Sequence, residues 1–206
     1  MIFKASRIAH LTDARYFAAR AVDYLGFNFE EGTEGYLDPI YMKAIREWVE
    51  GPKIVGEFQS KPVAEILEAA RFFELDMVQV SAARHGAHLE AFQGLPLILS
   101  IEVGAKDLDF SPEKWQQWAR HADMFLFDFS ATSHSKSTLF EAIVYWKALF
   151  ELRPSLLQAD FIAEDWPEIL DTLGAQGISI VGGEEEKTGV KSYDQIEAIF
   201  EAFYHA

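Results

Sequence analysis

Met124-Phe125-Leu126-Phe127-Asp128-Phe129 is apolar on both of its alternating phases except at one carboxylate. Such a run suits a strand covered on both faces, as in a parallel sheet with helices packed over it. Just upstream, Ser111-Pro112 reads as a cap with proline at the first helical position. Trp115, Trp118 and Ala119 then mark one apolar helix face. Downstream, Leu139, Ile143, Trp146 and Phe150 mark another. A buried strand set between two amphipathic helices is the repeating piece of an α/β fold.

The same piece recurs in both directions. Strands are expected at Ile2–Ile8, Tyr24–Phe29, Lys53–Phe58, Asp76–Ser81, Leu97–Ile101, Met124–Phe129, Leu156–Asp160 and Gly177–Val181. Between them, Asp38-Pro39 starts a helix with the apolar face Tyr41, Ala44, Ile45 and Trp48. Pro62 opens one with Val63, Ile66, Leu67 and Ala70 on a face. Trp166, Ile169, Leu170 and Leu173 form another, closed by Gly174 as a C′ glycine. Ile196, Ile199, Phe200 and Phe203 stripe the last, and weaker helical patterns cover Thr12–Ala21 and His88–Phe92. Repeated βα units imply parallel pairing through right-handed crossovers. Eight of them imply a single (β/α)8 barrel domain over residues 1–206, with a doubly wound open sheet as the alternative.

Composition narrows the function classes. The chain has 206 residues, half of them hydrophobic, and a net charge of -15. That surface repels phosphate backbones, which argues against nucleic-acid binding. There is no cysteine, hence neither a disulfide nor a thiolate metal site. Met1 to His10 lacks a secretory pattern and no apolar run reaches membrane-spanning length, so a cytoplasmic protein without membrane contact is expected. No cofactor or metal is expected.

In a barrel of this kind function gathers where the strands end. Reading those ends in order gives Lys4 and Ser6, Asn28 and Glu30, Glu57 and Gln59, Gln79 and Ser81. It continues with Ser100 and Glu102, Asp128 and Ser130, Gln158 and Asp160, and Gly182-Gly183-Glu184. Burying polar groups without partners costs about 1–3 kcal/mol each, so this many at one end imply a small-molecule pocket. Asp128 is the sharpest candidate. Apolar neighbours would raise its pKa and make it a general acid, whereas a neighbouring lysine such as Lys4 would make it a satisfied ion pair. Glu57, Glu102 and His134, the last on the sixth βα loop, are candidate bases. His85 and His88 read as a solvated pair, His121 and Asp123 as groups at the stability face, and Glu184-Glu185-Glu186 as a solvated acidic loop. A divalent cation between that loop and Asp160 is the minor alternative.

At these residues the chain resembles the phosphoribosylanthranilate isomerase family of tryptophan biosynthesis. The family's opening Lys-Ile-Cys-Gly-Ile is matched by Lys4-Ala5-Ser6-Arg7-Ile8, and its Leu-Gly-Phe by Leu25-Gly26-Phe27. Val55-Gly56-Glu57-Phe58, Val78-Gln79-Val80-Ser81, Leu126-Phe127-Asp128 and Gly189-Val190-Lys191-Ser192 follow in register. The resemblance implies an Amadori isomerisation of a phosphoribosyl aminosugar in a soluble monomer or homodimer. An aspartate, here Asp128, acts as general acid on the ring oxygen, and the proton-abstracting cysteine falls at Ser6. Lys4, Asn28, Glu57, Gln79, Ser81, Glu102, Asp160, Gly182 and Gly183 would line the ligand site.

Three positions depart from the family pattern. A serine hydroxyl is far less acidic than a thiol and needs its own activating base. The arginine of the family's Ser-Pro-Arg-Tyr segment is Gly35, which removes a cation for a substrate carboxylate. The first glycine pair of the phosphate site is Ala159-Asp160, which puts a carboxylate beside an expected dianion. The readings therefore open are an isomerase with a rebuilt base, a binding barrel without chemistry or one with a changed substrate, and an assembly scaffold.

Overall fold

Eight strands form the barrel wall: β1 (Ile2–Ser6), β2 (Tyr24–Asn28), β3 (Lys53–Phe58), β4 (Met77–Ser81), β5 (Leu97–Glu102), β6 (Met124–Asp128), β7 (Ser155–Gln158) and β8 (Gly177–Val181). In the computed structural model, which describes residues 1–104, 111–130, 135–182, 185–187 and 190–204, they pair in parallel and in sequence order. β8 closes on β1 from the pair Ile2–Gly177 to the pair Ser6–Val181. The open sheet is thereby excluded.

Around the wall lie α1 (Leu11–Ala19), α2 (Pro39–Arg46), α3 (Val63–Phe72), the single turn α4 (Ala82–His85) and α5 (Pro112–His121). They continue with α6 (Lys136–Glu141), α7 (Ile143–Phe150), α8 (Trp166–Leu173) and α9 (Asp194–Tyr204). A 3-10 turn covers Leu89–Phe92, where a weak helix was expected. Two helix signals act as anticipated. The Asp38 carboxylate accepts the Ile40 N–H at 2.8 Å, and Gly174 ends α8 with φ 77°. Ser111, by contrast, precedes Pro112 at the start of α5 without a side-chain cap bond, its hydroxyl donating to Glu113 at 3.1 Å.

Side chains alternate across each strand, so two cores result. Outward residues meet the helices, as where Trp115 stacks on Phe127 with ring centroids 5.8 Å apart. Inward residues fill the barrel. Val55, Met77, Ile98, Met124, Leu126 and Leu156 form its dry lower half. The next inward positions, Lys4, Glu57, Gln158 and Ser179, are buried and polar.

The strand starts share one device. Asp23 accepts the Phe3 N–H, Asp76 that of Ile54, Asp123 that of Leu97, and Gln176 that of Ser155, at 2.6–2.9 Å. Each acceptor precedes an even-numbered strand and caps the strand before it. Asp123 thus serves the stability face as expected.

Several local readings change. The buried face of α2 is Met42 and Ile45, while Tyr41, Ala44 and Trp48 face outward. Two stripes of helical period share Ile45, and packing on the barrel selects the other one. One helix expected through Leu139 and Phe150 is broken at Ala142 (φ -104°) into α6 and α7. The acidic segment after β8 was expected as a loop. It instead contains a short antiparallel hairpin, β9 (Glu185–Lys187) with β10 (Val190–Lys191).

Candidate functional site

The inward ends of the strands enclose a cavity of about 60 Å³. Its lining includes Ser6 and Arg7 from β1 and its exit, Asn28 from β2, Glu57 to Gln59 from β3, and Gln79 and Ser81 from β4. Ser100 and Glu102 from β5, Asp128 from β6 and Gln158 from β7 complete it. Both catalytic candidates, Ser6 and Asp128, therefore face one space.

They are joined by a chain of hydrogen bonds that runs in a single direction. Lys4 Nζ donates to Ser6 Oγ at 2.5 Å. Ser179 donates its only hydroxyl proton to Gln158 Oε1 at 2.9 Å. The 2.7 Å contact between Ser6 and Ser179 must then be donated by Ser6. Gln158 Nε2 donates to Asp128 Oδ2 at 2.9 Å. A cation stands at one end of the chain and a carboxylate at the other.

Lys4 is the hub, not a wall. It is 1% exposed, does not line the cavity, and pairs with Glu57 as well as Ser6. Burial lowers its pKa and the facing Glu57 opposes that shift. The sequence offered Lys4 to Asp128, but β3 presents Glu57 closer. Gly26 makes this possible, since a β-carbon there would lie 2.0 Å from Glu57 Oε1 and 2.7 Å from Lys4 Nζ. The second oxygen of Glu57 accepts the Arg7 N–H at 3.2 Å.

The apolar enclosure expected for Asp128 is absent. Phe127 and Phe129 point into the helix layer, packed on Trp115 and Trp146. The carboxylate instead accepts from the Ser130 N–H at 2.9 Å, from Ser130 Oγ at 2.5 Å and from Gln158.

The remaining expected residues divide. Gln79, Ser81 and Glu102 line the cavity, and Gln79 Oε1 is buried without a partner. Asn28 also lines it, but its side-chain amide binds Thr33 Oγ1 and the Glu34 carbonyl at 2.8 Å each. It thereby holds the β2–α2 loop. Glu30 caps the next loop through the Gln59 and Ser60 N–H groups. Asp160 is exposed and off the cavity, and the Gly182 N–H donates to the Ser6 carbonyl at 3.4 Å. Gly183, Glu184 and His134 lie outside the described residues. His85, expected in solvent, is 4% exposed with Nε2 on the Lys61 carbonyl at 2.9 Å, while His88 is exposed. Among the described residues no three His, Asp or Glu side chains could hold a metal ion.

Sequence reading passed over Ser179, Gly26 and Arg7. Ser179 carried a signal, a lone hydroxyl between Ile178 and Ile180 on the inward phase.

The family model for N-(5'-phosphoribosyl)anthranilate isomerase matches residues 3–202. The chain belongs to the phosphoribosylanthranilate isomerase family. Relatives so named include one from Maridesulfovibrio salexigens, 24% identical with 98% of each chain covered. Another, from Parabacteroides distasonis, is 25% identical over 100% of this chain and 94% of its own. Among solved structures, phosphoribosylanthranilate isomerase from Thermus thermophilus superposes with a TM-score of 0.77 at 23% identity, covering 100% and 99% of the two chains. A phosphoribosylanthranilate isomerase in complex with reduced 1-(o-carboxyphenylamino)-1-deoxyribulose 5-phosphate gives 0.75 at 18%, with both chains fully covered. At these identities the structural likeness shows the barrel, and the family model shows the membership. Among the described residues no helix is long and apolar enough to cross a membrane.

Proposed function

We propose that this chain catalyses the family's aldose-to-ketose isomerisation on a phosphoribosyl aminosugar of tryptophan biosynthesis, as a cytoplasmic monomer or homodimer, with a carboxylate in place of the family's thiol. Asp128 lines the cavity and stands at the position of the family's acid, and on that ground it is the general acid. It gives a proton to the ring oxygen as the ring C–O bond breaks. Glu57 takes the proton from the neighbouring carbon, leaving an enol-amine that tautomerises to the aminoketose. Protons and electrons balance without a cofactor.

The observation that carries this reading is the direction of the Lys4-to-Asp128 chain. Ser6 accepts from Lys4 and donates to Ser179, and as an alcohol it needs a base to activate it; Glu57 also accepts from Lys4 but is itself a carboxylate. Glu57 and Asp128 are the carboxylates on the two ends of that network, and both line the cavity. Carboxylate bases serve other sugar isomerisations well. The enclosed space, at about 60 Å³, is far smaller than a whole-ligand pocket of ~300 Å³ or more, so it is the floor on which the reacting carbons rest. Ser81, Gln79 and Glu102 then bind the sugar hydroxyls.

The test is turnover of phosphoribosylanthranilate by the wild type and by Asp128→Asn. Turnover that falls by at least a hundredfold in the variant supports the reading. A second reading, a binding barrel without chemistry, is favoured by the same commitment of Ser6. Ligand-induced stabilisation without any turnover, none being regained in Ser6→Cys, would decide for it.

A further inference from the structure

Arg7 leaves β1 with φ 54°, a left-handed backbone that L-residues with a β-carbon avoid. The family's opening motif has glycine at this point. Ala21 and Glu74 share such a backbone, but just past the ends of α1 and α3, where a left-handed residue commonly closes a helix; Arg7 alone of the three lies at the cavity. Opposite Arg7 stands Gly35, also left-handed at φ 72°, at the end of the loop that Asn28 fastens. A β-carbon on Gly35 would lie 3.0 Å from Arg7 Cβ and 3.6 Å from Arg7 Cδ. The glycine thus clears the volume through which the Arg7 side chain runs. Arg7 lines the cavity, its side chain is 32% exposed, and its nearest ionic partner is Glu34 at 3.9 Å, itself 92% exposed.

From this geometry we infer that Arg7 is the oxyanion-binding residue of the site. The cavity is thus lined by an arginine from the β1 exit, with Gly35 of the β2–α2 loop making room for its side chain. A guanidinium offers a planar fork to a carboxylate or phosphate. The Arg7 N–H donates to Glu57 at 3.2 Å, and its guanidinium lies 3.9 Å from Glu34 on the β2–α2 loop, whereas Asp128 comes from β6 on another part of the wall. The anionic group of the ligand would thus lie away from the acid. The inference takes its site from the isomerase reading, but it concerns binding and is tested without turnover.

The experiment follows the melting temperature of the full chain with 2-aminobenzoate and, separately, with inorganic phosphate. It compares the wild type with Arg7→Gly and Arg7→Lys. The wild type is expected to be stabilised by several degrees at millimolar 2-aminobenzoate. Arg7→Gly, which relieves the backbone strain and folds at least as well, should lose the shift, and Arg7→Lys should keep a fraction. A shift with 2-aminobenzoate alone assigns a carboxylate, one with phosphate alone a phosphoryl group, and one with both a general oxyanion subsite. Shifts of equal size in wild type and Arg7→Gly, or no shift with either anion, would overturn the assignment. Loss of turnover with binding intact would sink the isomerase reading alone.

Discussion

Arg7 and Gly35 face each other with left-handed backbones, and the missing β-carbon of one makes room for the side chain of the other. The pair predicts opposite effects on stability. Glycine at position 7 removes a left-handed penalty of about 1–2 kcal/mol, partly offset by its own chain entropy. Arg7→Gly should therefore raise the unfolding free energy by about 0.5–1 kcal/mol. Gly35→Ala should lower it by about 1–2 kcal/mol, because it adds both strain and a close contact. Urea unfolding of the two variants measures this directly, and a destabilised Arg7→Gly would refute it.

Gly26 is held to glycine by the ion pair across it. Any side chain there must part Lys4 from Glu57. Breaking a buried pair costs about 3–5 kcal/mol when one charge is left alone. Gly26→Ala is expected to fall in that range, and Glu57→Gln somewhat below it because the amide can still accept from Lys4. Chemical denaturation monitored by tryptophan fluorescence would show whether Gly26→Ala is instead tolerated.

The four acceptors at the strand starts lie at the end of the barrel remote from the cavity. Each accepts one backbone N–H, that of Asp23 in an exposed setting and the other three half-buried. Asp23→Ala, Asp76→Ala and Asp123→Ala should each cost about 1 kcal/mol. Each caps a different strand, so the triple variant should lose about the sum. Ligand binding should be unchanged in all of them.

Alkaline pH should loosen the seam between α1 and the start of α9. Tyr16 donates to Glu197 at 2.6 Å and Tyr193 to Asp13 at 2.5 Å. Burial first, then the carboxylate partner, raises both phenols well above their ordinary value of 10.0. The folded state keeps these protons where the unfolded chain releases them. Their stabilisation is thus whole below about pH 10 and is lost progressively above it. Tyr193→Phe should cost about 1–2 kcal/mol at pH 8 and flatten the decline between pH 10 and 11. An equally steep decline in that variant would refute the assignment.

The barrel was legible because alternation is a strong signal. Seven of the eight strand ends placed polar residues two apart, as in Lys4 and Ser6 or Gln79 and Ser81, so most inward positions could be read without knowing the neighbours. What the sequence could not show was which inward group meets which. Lys4 had only Asp128 in prospect, and strand order with register gives it Glu57 instead, through the gap at Gly26. Asp128 looked enclosed by phenylalanines because neighbours along a strand are adjacent in sequence but lie on opposite faces. Tyr41 and Trp48 matched helical spacing as well as Met42 did, and periodicity alone does not fix the phase. The strain at Arg7 is a backbone property that no side-chain pattern records.

The central claim is that proton abstraction has passed from position 6 to Glu57. The rate of phosphoribosylanthranilate turnover in Glu57→Gln relative to Ser6→Ala, with folding of both confirmed by circular dichroism, tests it most directly. A general base is worth roughly 10²–10⁴-fold, so Glu57→Gln should be slower than the wild type by that factor while Ser6→Ala stays within about tenfold. A dead Ser6→Ala beside an active Glu57→Gln would contradict the account.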